Sequence, residues 1–270
     1  MASLLRIPSK PNAPISYTFY PAQNGHASNA IPLIVFINGL GLPAAAWDPA
    51  IEILHSSVEF CPAFLTYDRY GQGKTTTRDP LDGTPGKEKG HDFQDVVNDL
   101  HEIIIAIATS KLRLKEADVE SKKPHLFLVG ASIGGPIVRL YARDHPGVVA
   151  GVLILDSNIA NVNYSEIWPD PDAYGFDPET VVSSDCILEQ YKSARTALAA
   201  MFDLNVRNPE FLDRSNSPSL LPASDGPKLR GPEERGPLLS VVGHDPLVFA
   251  DQSFERMGTP RSLTMRLTDR

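Results

Sequence analysis

The chain has few of the features that mark metal-binding, disulfide-rich or membrane proteins. It has only two cysteines, Cys61 and Cys186, with no CxxC or other metal-ligand spacing, and we expect both to be buried thiols. No apolar run approaches the length of a membrane span, and the start MASLLRIPSK contains too short an apolar run for a secretion signal. These absences favour an intracellular protein, with the cytoplasm as its expected location.

Positive charge is also scarce. The sequence has 25 Lys and Arg against 33 Asp and Glu, which gives a formal net charge of −8 at pH 7. Because phosphate binding needs a basic surface, we expect no nucleic-acid partner. With 42% hydrophobic and 21% charged residues, the composition is that of an ordinary globular protein, and 270 residues can bury a full core.

Strand-like and helix-like segments alternate along the chain, which is typical of a mainly parallel sheet with helices on both faces. The apolar residues between 92 and 110 recur at spacings of three and four, so they predict a helix with one buried face. Runs of apolar residues predict strands at 31–37, 63–67, 124–129, 151–155 and 237–242, of which 31–37 and 151–155 are expected to be buried. Further helices are predicted at 137–143, 187–202, 247–257 and 262–267.

The alternation stops between residues 157 and 236. The first part of this stretch carries Tyr164, Trp168, Tyr174 and Phe176 among acids and prolines. Exposed aromatic side chains without a pocket to line are a liability, so we predict a lid over a site. The alternative is a surface excursion without function. The predicted organisation is a core in two parts, residues 1–156 and 237–270, with the lid insert 157–236 between them.

The stretch Gly130-Ala131-Ser132-Ile133-Gly134 matches the GxSxG pattern of a nucleophile elbow. The pattern alone is weak, but a predicted strand, HLFLVG, precedes it and a predicted helix, PIVRLYARDHP, follows it. A strand-to-helix turn of this kind exposes a serine Oγ, and the helix N-terminus favours negative charge near it. We therefore expect Ser132 to be a nucleophile.

With these motifs the chain resembles the α/β-hydrolase superfamily over nearly its whole length. NGLGLPAAAW resembles the oxyanion loop of that family, with Asn38 where histidine is usual. YDRYGQGKT resembles its D-R-x-G-x-G-x-S turn, with Lys74-Thr75 where serine is usual. The set is most similar to fungal α/β-hydrolases, including those encoded beside toxin and other secondary-metabolite genes.

The resemblance implies an α/β-hydrolase fold and the activity of a serine esterase or thioesterase on a small to medium apolar ester or thioester. It implies no metal and no organic cofactor. The backbone amides of Leu40 and Ile133 would form the oxyanion hole. The acid should follow the serine along the chain, and two aspartates end predicted strands: Asp245, which we favour, and Asp156. The alternative role for both aspartates is capping or loop hydrogen bonding.

The histidine that should follow the acid is missing. Residues 246–270 contain no histidine, and they predict helices instead of the last strand of the fold with its loop. Of the seven histidines, His244 alone stands at a strand end on the predicted catalytic edge, and it is the candidate base. A triad without its histidine keeps only a small part of full activity.

Three interpretations therefore stay open besides an active hydrolase. The first is a non-catalytic protein that binds an apolar ligand. The second is a shortened form of a hydrolase. The third is an enzyme with another reaction at the same serine, such as a lyase or an acyltransferase. Loss of the last strand would expose a sheet edge, which a homodimer would cover. A longer form of the chain would have room for a peroxisomal address at its C-terminus.

Overall fold

The structure is a computed structural model that describes residues 2–23, 32–58, 61–120, 124–157, 167–223 and 226–268. The chain divides into two compact units. Unit 1 comprises Met1–Asn161 and Arg207–Val242, and unit 2 comprises Val162–Val206 and Gly243–Arg270. Residues 207–236, which the sequence groups with the lid insert, are therefore packed within unit 1. That the remainder of the insert works as a lid stays a prediction.

Unit 1 contains a sheet that has seven strands among the described residues. Their order across the sheet is β1-β2-β4-β3-β5-β6-β7; β2 pairs antiparallel with β1 and β4, and all the other pairs are parallel. This arrangement confirms the prediction of a mainly parallel sheet. The strands are β1 (Ser3–Leu5), β2 (Ile15–Tyr20), β3 (Pro32–Ile37), β4 (Ala63–Tyr67), β5 (His125–Ala131), β6 (Val149–Leu155) and β7 (Leu238–Val242).

The longest described helix, α2, begins where the Asp92 carboxylate accepts hydrogen bonds from the backbone amides of Gln94 and Asp95, while the Asp95 side chain accepts one from the Asp92 amide. None of the described helices is long and apolar enough to cross a membrane. The helices are α1 (Asp48–Ser57), α2 (Phe93–Ser110), α3 (Glu116–Glu120), α4 (Gly134–Asp144), α5 (Pro178–Val181), α6 (Leu188–Phe202), α7 (Ser217–Leu220), α8 (Pro246–Met257) and α9 (Arg261–Thr268).

Both faces of the sheet in unit 1 are covered. Successive side chains of a strand point to opposite faces. Val35 and Ile37 of β3 accordingly lie in the core with α2 and α4, whereas Phe36 lies in a second cluster with Ile51 of α1. Cys61 belongs to this second cluster, and both Cys61 and Cys186 are buried free thiols, as predicted.

Unit 2 has its own apolar cluster. Trp168, one of the aromatic residues that led to the lid prediction, is buried there beside Tyr191 of α6 and Leu263 of α9. Tyr174 is fully exposed, and Tyr164 lies outside the described residues. Trp168 therefore contributes to the apolar core of unit 2.

Strand β7 lies at the edge of the sheet, and all five of its residues are exposed. Leu238 and Val241 keep 74% and 67% of their surface exposed although both are apolar. An exposed apolar edge strand is a surface on which another chain can pair. Formation of a homodimer at this edge stays a prediction.

Unit 1 also buries a group of charges beneath β2. Lys10 Nζ lies 2.7 Å from an Asp79 carboxylate oxygen and 2.6 Å from one of Asp99, and all three side chains are buried. Burial raises the pKa of Asp99 to about 7, because the loss of hydration outweighs the attraction of the Lys10 ammonium.

Replacement of Gly134 by alanine tests the contact of α4 with the sheet. A Cβ at Gly134 would collide with the carbonyl oxygen of Ile37 in β3, which belongs to the backbone and cannot rotate away. We expect Gly134→Ala to lower the free energy of unfolding by about 2 kcal/mol. Gly243→Ala is the control, because a Cβ there has no neighbour within 4 Å, and a change below about 0.5 kcal/mol is expected. Urea unfolding measures both variants, and equal effects would contradict the prediction.

Replacement of Asp99 by asparagine tests the buried charges. The pKa of Asp99 is higher in the folded state than its ordinary value of 3.8, so the folded state binds more protons between about pH 4 and pH 7. Through this group the stability of the protein falls as the pH rises through that window, with a slope of up to about 1.4 kcal/mol per pH unit. The stability of the parent protein relative to Asp99→Asn should therefore fall from pH 4.5 to pH 7.5. Parallel stability curves for the two proteins would exclude a raised pKa.

Candidate active site

Ser132 occupies the turn between β5 and α4. Its φ angle is +51°, which is uncommon for a residue with a side chain and typical of a strained nucleophile elbow. The Ser132 amide donates to the Leu155 carbonyl at 3.0 Å, and the Ser132 carbonyl accepts from the Gly135 amide at 3.0 Å and from Ser157 Oγ at 2.7 Å. These bonds tie the turn to the end of β6 and to the start of α4.

Glycines allow the elements to meet around this serine. A Cβ at Gly130 would collide with the Gly134 carbonyl, so strand and helix can approach only because Gly130 has no side chain. A Cβ at Gly39 would lie 3.3 Å from Ser132 Cβ. The loop that follows β3 therefore passes directly beside the serine.

The two backbone amides predicted to form the oxyanion hole belong to Leu40 in this loop and Ile133 in the elbow. Ile133 is also the residue that caps the N-terminus of α4. Within the part of the chain that the structure describes, neither N–H donates a hydrogen bond to a protein acceptor. Both donors are thus available for an acceptor outside the chain.

Asn38 stands where the α/β-hydrolase superfamily that the sequence resembles usually has histidine. In this structure its side chain forms hydrogen bonds within the core. Its side-chain amide donates to the Tyr67 carbonyl and to Gln72 Oε1, each at 3.0 Å, and its oxygen accepts from Trp47 Nε1 at 2.6 Å. Asn38 is buried. The side chain therefore links β3 to the turn after β4.

The sequence analysis missed Glu210, which belongs to the same network. Its carboxylate is fully buried, and Oε2 accepts from Arg69 Nε at 2.8 Å. Burial alone lowers the pKa of Arg69, but the Glu210 carboxylate outweighs this and holds the pKa of the guanidinium above its ordinary value. No local pattern marks Glu210, because its partner Arg69 is 141 positions away in sequence.

Asp156, the alternative acid, lies next to the elbow. Ala131 of β5 and Leu155 of β6 are partners in the sheet register, so Ser132 and Asp156 each come directly after a paired residue. Asp156 is exposed, has a φ angle of +41° and donates its amide to the Val242 carbonyl at 2.8 Å. Its place at the carboxyl end of a parallel strand suits a functional residue.

Asp245 and His244, the favoured acid and the candidate base, belong to unit 2. The Asp245 carboxylate caps α8 by accepting from the amides of Leu247 at 2.9 Å and Val248 at 3.0 Å. The His244 ring stacks on Phe249 with 4.0 Å between the ring centroids. Since Ser132 belongs to unit 1, the partnership of these two residues with the serine remains a prediction.

Three other histidines of unit 1, His91, His101 and His145, have partners of their own. His91 Nδ1 lies 2.9 Å from an Asp82 oxygen, and His101 Nδ1 lies 3.1 Å from the Tyr141 hydroxyl. His145 stacks on His101 at 4.0 Å, and burial together with the neighbouring His101 lowers the pKa of His145 to about 4. His145 is therefore neutral at pH 7 and has a structural position in this stack.

Comparison with known proteins places the fold in a family. The model of the Alpha/beta hydrolase family matches residues 34–265. The chain belongs to the α/β-hydrolase family. The predicted fold class is thereby confirmed.

Individual relatives are distant. The curated "Putative carbamate hydrolase RutD" of Variovorax paradoxus is 23% identical over 185 residues, which cover 67% of this chain and 54% of that protein. The chain thus spans about half the length of this relative. Among solved structures, a carboxylesterase of Nitrososphaera gargenis is 17% identical with a TM-score of 0.48, covering 98% of this chain and 93% of that chain. A soluble variant of monoglyceride lipase from Saccharomyces cerevisiae is 20% identical with a TM-score of 0.41, covering 59% of this chain and 44% of that chain.

The positive φ angle of Ser132 should affect the free energy of unfolding of variants at this position. Glycine adopts this conformation without steric cost, whereas alanine does not, so Ser132→Gly should be more stable than Ser132→Ala by about 0.5–1 kcal/mol. The matched control is the exposed Ser56 in α1, where alanine should be the more stable replacement by a similar amount, about 0.5–1 kcal/mol. Urea unfolding of the four variants measures both differences. The same order at both positions would contradict strain at Ser132.

Proposed function

We propose that this chain is a serine hydrolase, an esterase or thioesterase, that acts on a small to medium apolar ester or thioester. Ser132 is the nucleophile, and the amides of Leu40 and Ile133 form the oxyanion hole. The observation that carries the proposal is the turn at Ser132, where a strained φ angle occurs beside two backbone donors that have no protein acceptor among the described residues.

The reaction follows from these groups. Ser132 Oγ attacks the acyl carbonyl, loses its proton to a base, and the carbonyl oxygen becomes an oxyanion. Well-aimed donors in such a hole stabilise the tetrahedral state by about 3–4 kcal/mol each. Collapse of this state expels the alcohol or thiol, which takes up the proton, and water then hydrolyses the acyl-serine to release the acid.

Two aspartates are candidates for the acid. The chain order of the family supports Asp245, which follows β7. The sheet register supports Asp156, which directly follows β6 beside the elbow. His244 is the candidate base, and its ring stacks on Phe249 through its face, which leaves the ring nitrogens in the plane able to form hydrogen bonds.

The physiological substrate is proposed from the resemblance to fungal hydrolases of secondary-metabolite and toxin gene clusters. It would be a polyketide- or fatty-acid-derived ester or coenzyme A thioester. The proposal includes a cytoplasmic location, or a peroxisomal one for a longer chain, and a homodimer that pairs at β7.

A non-catalytic ligand-binding protein is the second candidate. It is supported by the histidines, since the described side chains of His91, His101 and His145 contact other groups of the core and His244 stacks on Phe249. Such a protein would bind an apolar carbonyl compound at the same amides without turnover.

Labelling with a fluorophosphonate probe tests the nucleophile. Mass spectrometry should find the adduct on the Ser132 peptide in the parent protein and not in Ser132→Ala, because the probe reacts with an activated serine. Loss of the acid that orients the base should slow labelling by at least about 100-fold, so Asp156→Asn and Asp245→Asn separate the two aspartates. His244→Asn tests the base in the same way.

The result also decides between the two candidate functions. A folded parent protein that forms no adduct would contradict the hydrolase. An apolar ester that raises the melting temperature of that protein without being turned over would then support the ligand-binding protein.

A further inference from the structure

A buried carboxylate from a distant part of the chain holds residues 38–41, the loop after β3. Glu210 Oε1 accepts hydrogen bonds from the Gly41 amide at 2.6 Å, from Arg69 Nη2 at 3.0 Å and from Gln72 Nε2 at 3.1 Å. Its other oxygen accepts from Arg69 Nε. The Glu210 carboxylate therefore joins this loop to the side chains of Arg69 and Gln72.

Those two side chains fix the peptide that contains the Leu40 amide. The Gly39 carbonyl accepts from Arg69 Nη2 at 3.0 Å and from Gln72 Nε2 at 2.9 Å. This peptide is trans, so its C=O and N–H groups point in opposite directions. The two bonds therefore turn the Leu40 N–H away from Arg69 and Gln72, and this N–H has no protein acceptor among the described residues.

The turn that carries the carboxylate is held by contacts of its own. The Asn208 side-chain amide donates to the Leu212 carbonyl at 2.7 Å and closes the turn. The Phe211 ring lies between the guanidinium groups of Arg78 and Arg207, at 3.8 Å and 3.7 Å from the ring centroid. The turn therefore holds its acidic side chain in one position against the core.

Charge balance explains why an acid is tolerated here. A lone carboxylate beside an oxyanion site would repel the developing charge. The Arg69 guanidinium forms two hydrogen bonds with Glu210 and compensates its charge, and both side chains are buried. The carboxylate can therefore hold the Gly41 amide while the pair that it forms with Arg69 carries no net charge.

We propose that Glu210 is a positioning residue of the oxyanion hole. It acts through the Gly41 amide and through Arg69 and Gln72, which together set the direction of the Leu40 N–H. The inference rests on the proposed role of Ser132 and Leu40, and it adds a residue from outside both sequence motifs.

Hydrogen exchange and labelling test this role together. In Glu210→Leu the Gly41 amide loses its acceptor, so its exchange, followed by NMR, should become at least about 10-fold faster. Fluorophosphonate labelling of Ser132 and kcat for p-nitrophenyl butyrate should fall by about 10–100-fold with KM nearly unchanged, because the loop misplaces a donor that acts in the transition state. Glu210→Gln keeps an acceptor for Gly41 and should recover protection and part of the rate.

A second variant protects the test against misfolding. Arg69→Met/Glu210→Leu removes the cation together with the carboxylate, so no unpaired charge is buried, and it should fold and show the same losses. Glu102→Gln is the matched control, because Glu102 also accepts a backbone amide, that of Ser9 at 3.0 Å, but lies on α2. It should leave exchange at Gly41 and labelling unchanged.

The outcomes separate this inference from the proposed function. A folded Glu210→Leu or double variant that labels at the parent rate overturns the inference, as does one whose Gly41 amide exchanges at the parent rate. If the parent protein itself does not label, the hydrolase proposal fails, and the exchange rates alone decide. Faster exchange at Gly41 then still supports a carboxylate that positions the loop, and unchanged exchange overturns it.

Discussion

Three backbone segments, β3, β5 and α4, approach one another so closely at Ser132 that there is no room for side chains between them. A Cβ at Gly134 would meet the Ile37 carbonyl, and one at Gly130 would meet the Gly134 carbonyl. Protein interiors are packed densely enough that even one methyl group is felt. The chain consequently reverses direction within a very short turn, and Ser132 takes the positive φ angle. The strain persists because the elements on both sides are buried and cannot relax.

Close packing of backbone also creates a demand for hydrogen-bond partners. Peptide groups that leave β3 at residues 38–41 cannot all bond within the sheet, and buried groups without partners are costly. Arg69, Gln72 and Glu210 meet this demand from the interior. Among the described residues the amide of Leu40 has no acceptor, although the Gly39 carbonyl and the Gly41 amide on either side of it are bound. The loop beside the strained serine is thus fixed by its neighbours' hydrogen bonds.

The sequence predicted the parts of the fold that depend on local patterns. Strands β3 to β7 and the helix α2 follow from runs and periodicities of apolar residues, and the elbow follows from glycines between a strand and a helix. Strands β1 and β2 were missed because β1 has three residues and β2 mixes polar with aromatic side chains. These two strands form by antiparallel pairing, in which β2 hydrogen-bonds to β4 and β1 to β2.

The site was predictable only where residues stand within a motif. Ser132, Ile133 and Leu40 lie in two short motifs, and the structure places both motifs side by side. The pairing of Arg69 with Glu210 joins positions that no window of sequence contains together. This ion pair forms only because the turn at residues 207–212 packs within unit 1. The sequence analysis had assigned that turn to the lid insert. Long-range charge pairs of this kind are a property of the packed chain, not of its local composition.

The two requirements of the proposed serine hydrolase fall on residues of different units. Stabilising an oxyanion requires fixed donors, and the proposed donors follow β3 and β5, two parallel strands of one sheet whose carboxyl ends lie at a common edge. Activating the serine requires a base at hydrogen-bond distance, and the candidate His244 follows β7 and belongs to the other unit. The proposed donors belong to elements that pack by close glycine contacts and by the hydrogen bond of Gly41 to Glu210. None of these contacts involves a histidine. If the two amides bind an oxyanion as proposed, that binding would therefore persist in a chain that has lost its catalytic base.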